Sequence, residues 1–227
     1  MADRTYYHAY DDRYRQVHEQ DLQWFSDEPA PIVADTIREF SILRTHRLLE
    51  IGCGEGQDAR LLLEQGFDLL ATDVSPEAIR FCKERMPMHA HRFRVLDCVT
   101  DSMDTDFDFI YAVAVVHMLV ADEDRNAFYR FIHRHLKPGG IGLICTMGDG
   151  ATERRTDTGE AFELRERVHS QTGKKLHIAA TSCRTVSFQT LCGELERNGL
   201  VICRQGVSDR EPGFSQMMYA IVKKERN

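Results

Sequence analysis

The sequence has no long apolar run, no paired-cysteine motif and no secretory leader. No stretch approaches the roughly 20 apolar residues that a membrane-spanning helix needs, and the first 20 residues lack the apolar core of a signal peptide. None of the seven cysteines falls in a Cys-x-x-Cys pair, so a structural zinc site or a redox dithiol has little support. We expect a cytoplasmic protein with reduced thiols, no metal and no membrane partner.

Positive charge is also in short supply. The chain has 29 Lys and Arg against 36 Asp and Glu, a formal net charge of −7. This balance argues against a nucleic-acid partner, whose binding depends on neutralising phosphates. With 227 residues, 42% of them hydrophobic, we expect one domain with a sizeable core, either a monomer or a homodimer.

Short apolar strands alternate with helical patterns in the first two thirds of the chain. The predicted strands are 47–51, 67–73, 91–97, a strand starting at 107, and 141–148; the predicted helices are 32–43, 56–66, 75–86 and 122–136. Such alternation is typical of βαβ units and a parallel sheet. Residues 149–182 are charged and irregular, with one predicted helix near 160–169. A helix (186–199) and two strands (200–207 and 215–225) follow, the last one antiparallel because its connecting loop is short.

A glycine-rich turn, "LLEIGCGEGQDARLL" (48–62), joins the first strand to a helix. Its spacing, Gly52-x-Gly54-x-Gly56, differs from the G-x-G-x-x-G of dinucleotide sites. Glu50 and Glu55 would repel a pyrophosphate there and would favour a ligand with an ammonium and a sulfonium. The turn therefore predicts a nucleoside ligand without phosphates.

Asp73 supports this interpretation. It ends the second strand, 21 residues beyond Gly52. A carboxylate at this place can accept two hydrogen bonds from a ribose diol.

Together with "ATDVSPEAI", "RVLDC", "FDFIYAVAVVHML" and "HLKPGGIGLIC", this turn resembles the cofactor site of class I (Rossmann-like) S-adenosylmethionine-dependent methyltransferases of the small-molecule type. The motifs occur in the order that the family uses. The resemblance implies S-adenosyl-L-methionine as cofactor and S-adenosyl-L-homocysteine as product. It also implies an α/β fold: a doubly wound, mostly parallel seven-stranded sheet with an antiparallel last strand and helices on both faces.

The resemblance further implies which residues bind the cofactor. The glycines would line its methionyl part and ribose, Asp73 would hold the ribose hydroxyls, and two residues after the third strand would meet the adenine. The set implied is Glu50, Gly52, Gly54, Gly56, Asp73, Val74, Asp97, Cys98, Ala112 and Val113. For Glu50, ordering of the loop is the alternative role.

The methyl acceptor is less well marked. "AVAVVHML" replaces the fourth-strand motif of amino-methylating nucleic-acid enzymes, and its His117 would face the acceptor, where it would act as a catalytic base or merely close the strand. Tyr7, Tyr10 and Tyr14 share one helical face that would close over the cofactor. Arg13 would pair with the carboxylate of the cofactor or would remain a surface charge.

We divide the single methyltransferase domain into four parts: an N-terminal helix and lid (1–31), the cofactor-binding core (32–148), an inserted cap segment (149–185), and the C-terminal helix with the last two strands (186–227). Basic residues in the cap segment point to an anionic small-molecule acceptor, although a solvated charged helix explains them equally well. Two other functions stay open: an NAD(P)-dependent Rossmann oxidoreductase, and a non-catalytic S-adenosylmethionine-binding regulatory protein.

Overall fold

A seven-stranded sheet organises the part of the chain that the structure, a computed structural model, describes, which is residues 5–224. Residues 1–4 of the predicted lid and residue 225 of the predicted last strand lie outside it. Within the described range, no helix combines the length and the apolar character needed to cross a membrane.

Outside residues 149–185, the helices and strands follow the predicted order. They are α1 (Ala9–His18), α2 (Pro31–Glu39), β1 (Arg47–Ile51), α3 (Gln57–Glu64), β2 (Asp68–Asp73), α4 (Pro76–Arg85), β3 (Phe93–Val95), β4 (Phe107–Val113), α5 (Asp122–His135), β5 (Leu136–Met147), β6 (Arg154–Arg155), β7 (Leu164–Val168), β8 (Lys175–Ala179), β9 (Arg184–Thr185), α6 (Phe188–Arg197), β10 (Leu200–Ser208) and β11 (Met217–Lys224). Short 3₁₀ turns occupy Tyr6–His8, Pro87–Arg92, Val116–Met118 and Thr158–Glu160.

The strand order is β10-β11-β5-β4-β1-β2-β3. Pairs within β1 to β5 are parallel, whereas β11 runs antiparallel to both β5 and β10. The predicted fold class, including the antiparallel last strand, is confirmed. The order reverses between β1 and β4, and in sheets of this kind ligands bind beyond the carboxyl ends of the strands at that point.

The core lies in two apolar layers, one on each face of the sheet. Phe128 and Ile132 of α5 and Leu191 of α6 belong to one layer, while Leu62 of α3 and Ile79 of α4 belong to the other. Coverage on both faces explains why the parallel strands read as continuous apolar runs rather than as alternating ones.

The prediction of a helix near 160–169 is wrong. Residues 164–168 and 175–179 pair as the antiparallel hairpin β7–β8. Leu176 and Ile178 of β8 are buried against Val17 of α1. This burial comes from a helix distant in sequence, so the local pattern of the segment could not reveal it.

A buried carboxylate attaches the N-terminal segment to the glycine turn. The side chain of Glu55 has no exposed surface, and it accepts hydrogen bonds from the backbone N–H groups of Trp24 (2.7 Å) and Phe25 (2.9 Å). His18 of α1 lies between two acids, with Nε2 3.0 Å from Glu55 and Nδ1 2.7 Å from Glu77. Burial lowers the pKa of His18, but the hydrogen bonds to both carboxylates outweigh it and leave this pKa above its usual value.

We expect His18 to stabilise the protein in a pH-dependent way. Because its pKa is raised on folding, its contribution is complete below the unfolded value of about 6.5 and is lost as the pH rises through the folded value. The free energy of unfolding of the wild type should exceed that of His18→Gln most at about pH 6, and the gap should narrow towards about pH 9. Denaturant melts of both proteins measure this gap; a constant gap would contradict the assignment of a protonated His18.

A second buried ion pair fixes the turn that carries His117. Arg125 of α5 donates to both carboxylate oxygens of Glu194 on α6 (2.8 and 2.6 Å) and to the carbonyl of Val116 (2.8 Å). The side chains of Arg125 and Glu194 are 1% and 5% exposed. The pair therefore joins two helices to the end of β4.

Glu194→Ala should lower the free energy of unfolding by about 3–5 kcal/mol, because it leaves the buried guanidinium of Arg125 without its counter-charge. Glu166→Ala is the matched control, since Glu166 pairs with Lys175 on the exposed hairpin. That change should cost less than about 1 kcal/mol. Equal losses in chemical denaturation would contradict this reading of the buried pair.

Candidate active site

The glycine turn passes from β1 to α3 through left-handed backbone. Gly52, Gly54 and Gly56 have φ values of +74°, +52° and +82°. A Cβ on Gly52 would lie 2.3 Å from a methyl group of Val115, and one on Gly54 would lie 2.7 Å from the hydroxyl of Tyr14. The close approach of these two neighbours requires glycine at both positions.

A cavity of about 1130 Å³, partly open to solvent, lies beyond the carboxyl ends of β1, β2 and β4. We call it the first cavity. The structure brings eleven of the predicted residues to its walls: Tyr7, Tyr10, Tyr14, Glu50, Gly52, Gly54, Asp73, Val74, Asp97, Cys98 and Val113.

Four predicted residues lie elsewhere. A Cβ on Gly56 would meet Met86 (2.8 Å), so this glycine serves packing against α4 rather than the cavity. Ala112 is 1% exposed and belongs to the core. Arg13 and His117 line a neighbouring second cavity.

Only acids carry formal charge on the described walls of the first cavity. They are Glu28, Glu50, Asp58, Asp73, Asp97 and Glu211. The prediction that Glu55 faces the ligand is wrong, since its carboxylate is directed at the N-terminal segment instead. The preference for a cationic ligand without phosphates therefore rests on Glu50 and these other acids.

Asp73 is held in place by backbone donors. Its carboxylate accepts from the N–H groups of Gly54 (2.9 Å) and Ser75 (2.8 Å), one oxygen each. Burial raises the pKa of Asp73 to about 6, although these hydrogen bonds oppose the rise. Each oxygen keeps a lone pair for a further donor, such as a ribose hydroxyl.

Asp97 connects the N-terminal segment to the end of β3. One oxygen accepts from the backbone N–H of Val99 (2.9 Å) and the other from the hydroxyl of Tyr7 (3.0 Å). Burial opposes ionisation, but hydrogen bonds, first from His8 and then from these two groups, leave the pKa of Asp97 below its usual value. Asp97 is therefore a charged acceptor at neutral pH.

Two buried polar atoms on the walls of the first cavity lack partners among the described residues. These are Oε2 of Glu50 and Nε2 of Gln57. Burial raises the pKa of Glu50 well above its usual value, and Asp58 adds to the effect. An amino-acid group would satisfy both atoms, because its ammonium can donate to Glu50 and its carboxylate can accept from Gln57. Gln57 was missed in the sequence because no motif marks the first residue of a helix.

The second cavity, of about 1090 Å³, lies beside the first. Aromatic rings and thioethers are prominent on its walls. The two cavities have five wall residues in common: Tyr10, Phe25, Ala114, Met118 and Phe214. Ala114 has a φ of +58°, an uncommon conformation for a residue with a side chain. Backbone strain of this kind is frequent at functional sites.

His117 is 4% exposed and lines the second cavity. Its Nδ1 is buried without a partner among residues 5–224. Burial, followed by the charges of Arg125 and Arg13, lowers the pKa of His117 to about 3. The imidazole is therefore neutral, and its Nδ1 has no partner among the described residues.

Arg13 is no surface charge, since it is only 9% exposed. Its guanidinium donates to the carbonyls of Ala179 (2.9 Å) and Ala180 (2.6 Å). It also lies 4.9 Å from the ring centre of Trp24 and 5.3 Å from that of Tyr10. Arg13 thus joins α1 to the end of β8 at the wall of the second cavity.

Comparison with known proteins agrees with this geometry. Residues 48–140 match the model of a family described as a methyltransferase domain. "Hemagglutinin 1" of Eikenella corrodens is 31% identical over 110 residues, which are 46% of this chain and 35% of that protein. A malonyl-[acyl-carrier protein] O-methyltransferase of Serratia marcescens is 26% identical over 180 residues, 74% of this chain and 68% of that protein.

The chain thus spans between about a third and two thirds of the length of these relatives. Among solved structures, the CcbJ methyltransferase from Streptomyces caelestis aligns over 97% of this chain and 99% of that one, with a TM-score of 0.70 and 13% identity. The likeness at this identity concerns the fold. Residues 48–140 thus match a methyltransferase domain, and the chain as a whole has the Rossmann-like fold of solved S-adenosylmethionine-dependent methyltransferases.

Proposed function

We propose that this protein transfers a methyl group from S-adenosyl-L-methionine to an oxygen, nitrogen or sulfur atom of a small-molecule acceptor. The observation that carries the proposal is the pair of adjoining cavities, one acidic and one aromatic, with five wall residues in common. The cofactor would occupy the first cavity and the acceptor the second. The relative from Serratia marcescens is itself an O-methyltransferase.

The residues of the first cavity fit this cofactor. Asp73 would accept from the ribose hydroxyls and Asp97 from the adenine amino group, while Glu50 and Gln57 would pair with the ammonium and carboxylate of the methionyl part. When bound, the cofactor supplies a methyl group on a sulfonium, whose charge the surrounding acids favour. The absence of Lys, Arg and His from the described walls disfavours the pyrophosphate of NAD(P), and hence the oxidoreductase alternative.

On the acceptor side, the residues of this chain would mainly orient the acceptor and remove water from around it. Phe25, Met118 and Phe214 exclude water from the boundary between the cavities, and correct orientation supplies a large part of the rate in a displacement of this kind. The neutral His117 would accept a hydrogen bond, and then the proton, from an acceptor hydroxyl or thiol. A non-catalytic protein would bind the cofactor as well, so turnover is the decisive measurement.

The test of the proposed function combines binding and turnover. Isothermal titration should show binding of S-adenosyl-L-methionine and S-adenosyl-L-homocysteine, and incubation with a metabolite extract should release S-adenosyl-L-homocysteine. Binding without release across broad acceptor panels would favour the regulatory alternative. The absence of binding at millimolar ligand would contradict the proposal itself.

Affinity for S-adenosyl-L-homocysteine should fall as the pH falls through about 6, because protonated Asp73 loses part of its accepting capacity. Asp73→Asn should weaken binding at pH 7 by about 10- to 100-fold, the range for hydrogen bonds to a charged group. Asp104→Asn, an exposed acid outside the cavity, is the control and should bind normally. Calorimetry from about pH 5 to about pH 8 measures both effects; an unchanged Asp73→Asn would contradict the ribose contact.

His117→Gln should lower kcat by about 100-fold or more with a hydroxyl acceptor, the usual range for loss of a general base. Its affinity for S-adenosyl-L-homocysteine should stay unchanged, since His117 lies outside the first cavity. His177→Gln, on the exposed side of β8, is the matched control. Steady-state kinetics with an acceptor found in the panel decide whether His117 acts as a base. An unaltered kcat would show that His117 serves packing instead.

A further inference from the structure

The second cavity contains two arginines whose charges lack carboxylate partners. Arg13 donates to carbonyl oxygens only, and no carboxylate of residues 5–224 forms an ion pair with it. Arg167, on β7, lines the same cavity, and within the described chain its guanidinium forms no hydrogen bond or ion pair. Burial lowers the pKa of Arg13, and the charge of Arg167 lowers it further. The two guanidinium charges therefore repel each other, and no carboxylate of the described residues pairs with either of them.

Of the two acids of this cavity, Glu160 pairs with Arg165. Asp157 accepts from the backbone N–H of Gly159 (2.8 Å) and forms no ion pair with Arg13 or Arg167 in the described chain. Among the described walls, Arg13 and Arg167 are thus the cations left without a counter-charge. Arg13 is buried and Arg167 is exposed at the mouth of the cavity, and guanidinium groups in this state are suited to bind an anion from outside.

Six aromatic or thioether side chains form much of the remaining wall: Tyr10, Trp24, Phe25, Met118, Met147 and Phe214. Thr156, Thr181 and Cys183 lie beside them. The aromatic and thioether surfaces favour an acceptor with an aromatic or aliphatic body. His117, whose buried Nδ1 has no partner among the described residues, lines the same cavity.

We propose that the methyl acceptor is a carboxylic acid with an aromatic or apolar body, whose carboxylate is held by Arg13 and Arg167. Its accepting atom would lie at the boundary of the two cavities, beside His117. This inference rests on the proposed function and names the substrate class of the same site.

The chain provides its own reporter for the test, because its only tryptophan, Trp24, lines the second cavity. Protein saturated with S-adenosyl-L-homocysteine is titrated with 4-hydroxyphenylacetate and with the neutral, nearly isosteric 4-hydroxyphenylacetamide, and Kd is read from tryptophan fluorescence and calorimetry. The acid should bind at least about tenfold more tightly than the amide, as expected for a charge-assisted pair.

Two variants separate the site from general charge effects. Arg167→Gln should abolish most of the preference for the acid and leave the Kd of the amide and of S-adenosyl-L-homocysteine unchanged. Lys175→Gln removes the same charge from the other strand of the hairpin, outside the cavity, and should keep the preference. Arg167 is exposed, so its replacement should leave the melting temperature unchanged, whereas Arg13→Gln also loses the hydrogen bonds that join α1 to β8.

The outcomes are distinct. If S-adenosyl-L-homocysteine itself does not bind, the proposed function fails. If it binds but the acid and the amide bind equally or not at all, or if Arg167→Gln keeps the full preference for the acid, the inference is overturned and the proposed function stands. Loss of the preference in Arg167→Gln alone supports the carboxylate site.

Discussion

The architecture of both cavities depends on one buried carboxylate, that of Glu55. This carboxylate forms hydrogen bonds with His18 and with two backbone N–H groups. These bonds hold the N-terminal segment against the glycine turn. Tyr10 and Phe25 belong to this segment and line both cavities. A buried charge is costly unless fully hydrogen-bonded, so the docked arrangement of the segment is the one in which Glu55 is satisfied.

The sheet and most residues that line the first cavity could be predicted from the sequence because their signals are local. Strands buried on both faces appear in the sequence as apolar runs, and the helices between them have caps and a periodic apolar face. The glycines and acids of the turn follow at fixed spacing. Asp73 and Asp97 lie at strand ends that the topology brings to one edge of the sheet. For two strands, the prediction is wrong only about where they begin or end. The strand β3 has three residues, and β5 includes residues 137–140.

The acceptor side could not be predicted because its residues obtain their roles from distant partners. The hairpin at 164–179 is buried by α1, and Arg13 is ordered by carbonyls more than 160 residues away. Glu55 stands in the glycine turn, yet it is directed away from the cavity by donors at Trp24 and Phe25. Its charge was visible in the sequence, whereas the direction of its side chain was not.

The composition of the second cavity bears on how such enzymes diverge. Arg13, Arg167 and Phe214 come from three separate parts of the chain, and all three lie outside the stretch, 48–140, that matches the shared methyltransferase domain. Since α1 and β8 pack on each other, a substitution in one alters the surface that the other must fit. Under the proposed function, substitutions that change the acceptor range should therefore come in pairs, one in α1 and one in β8.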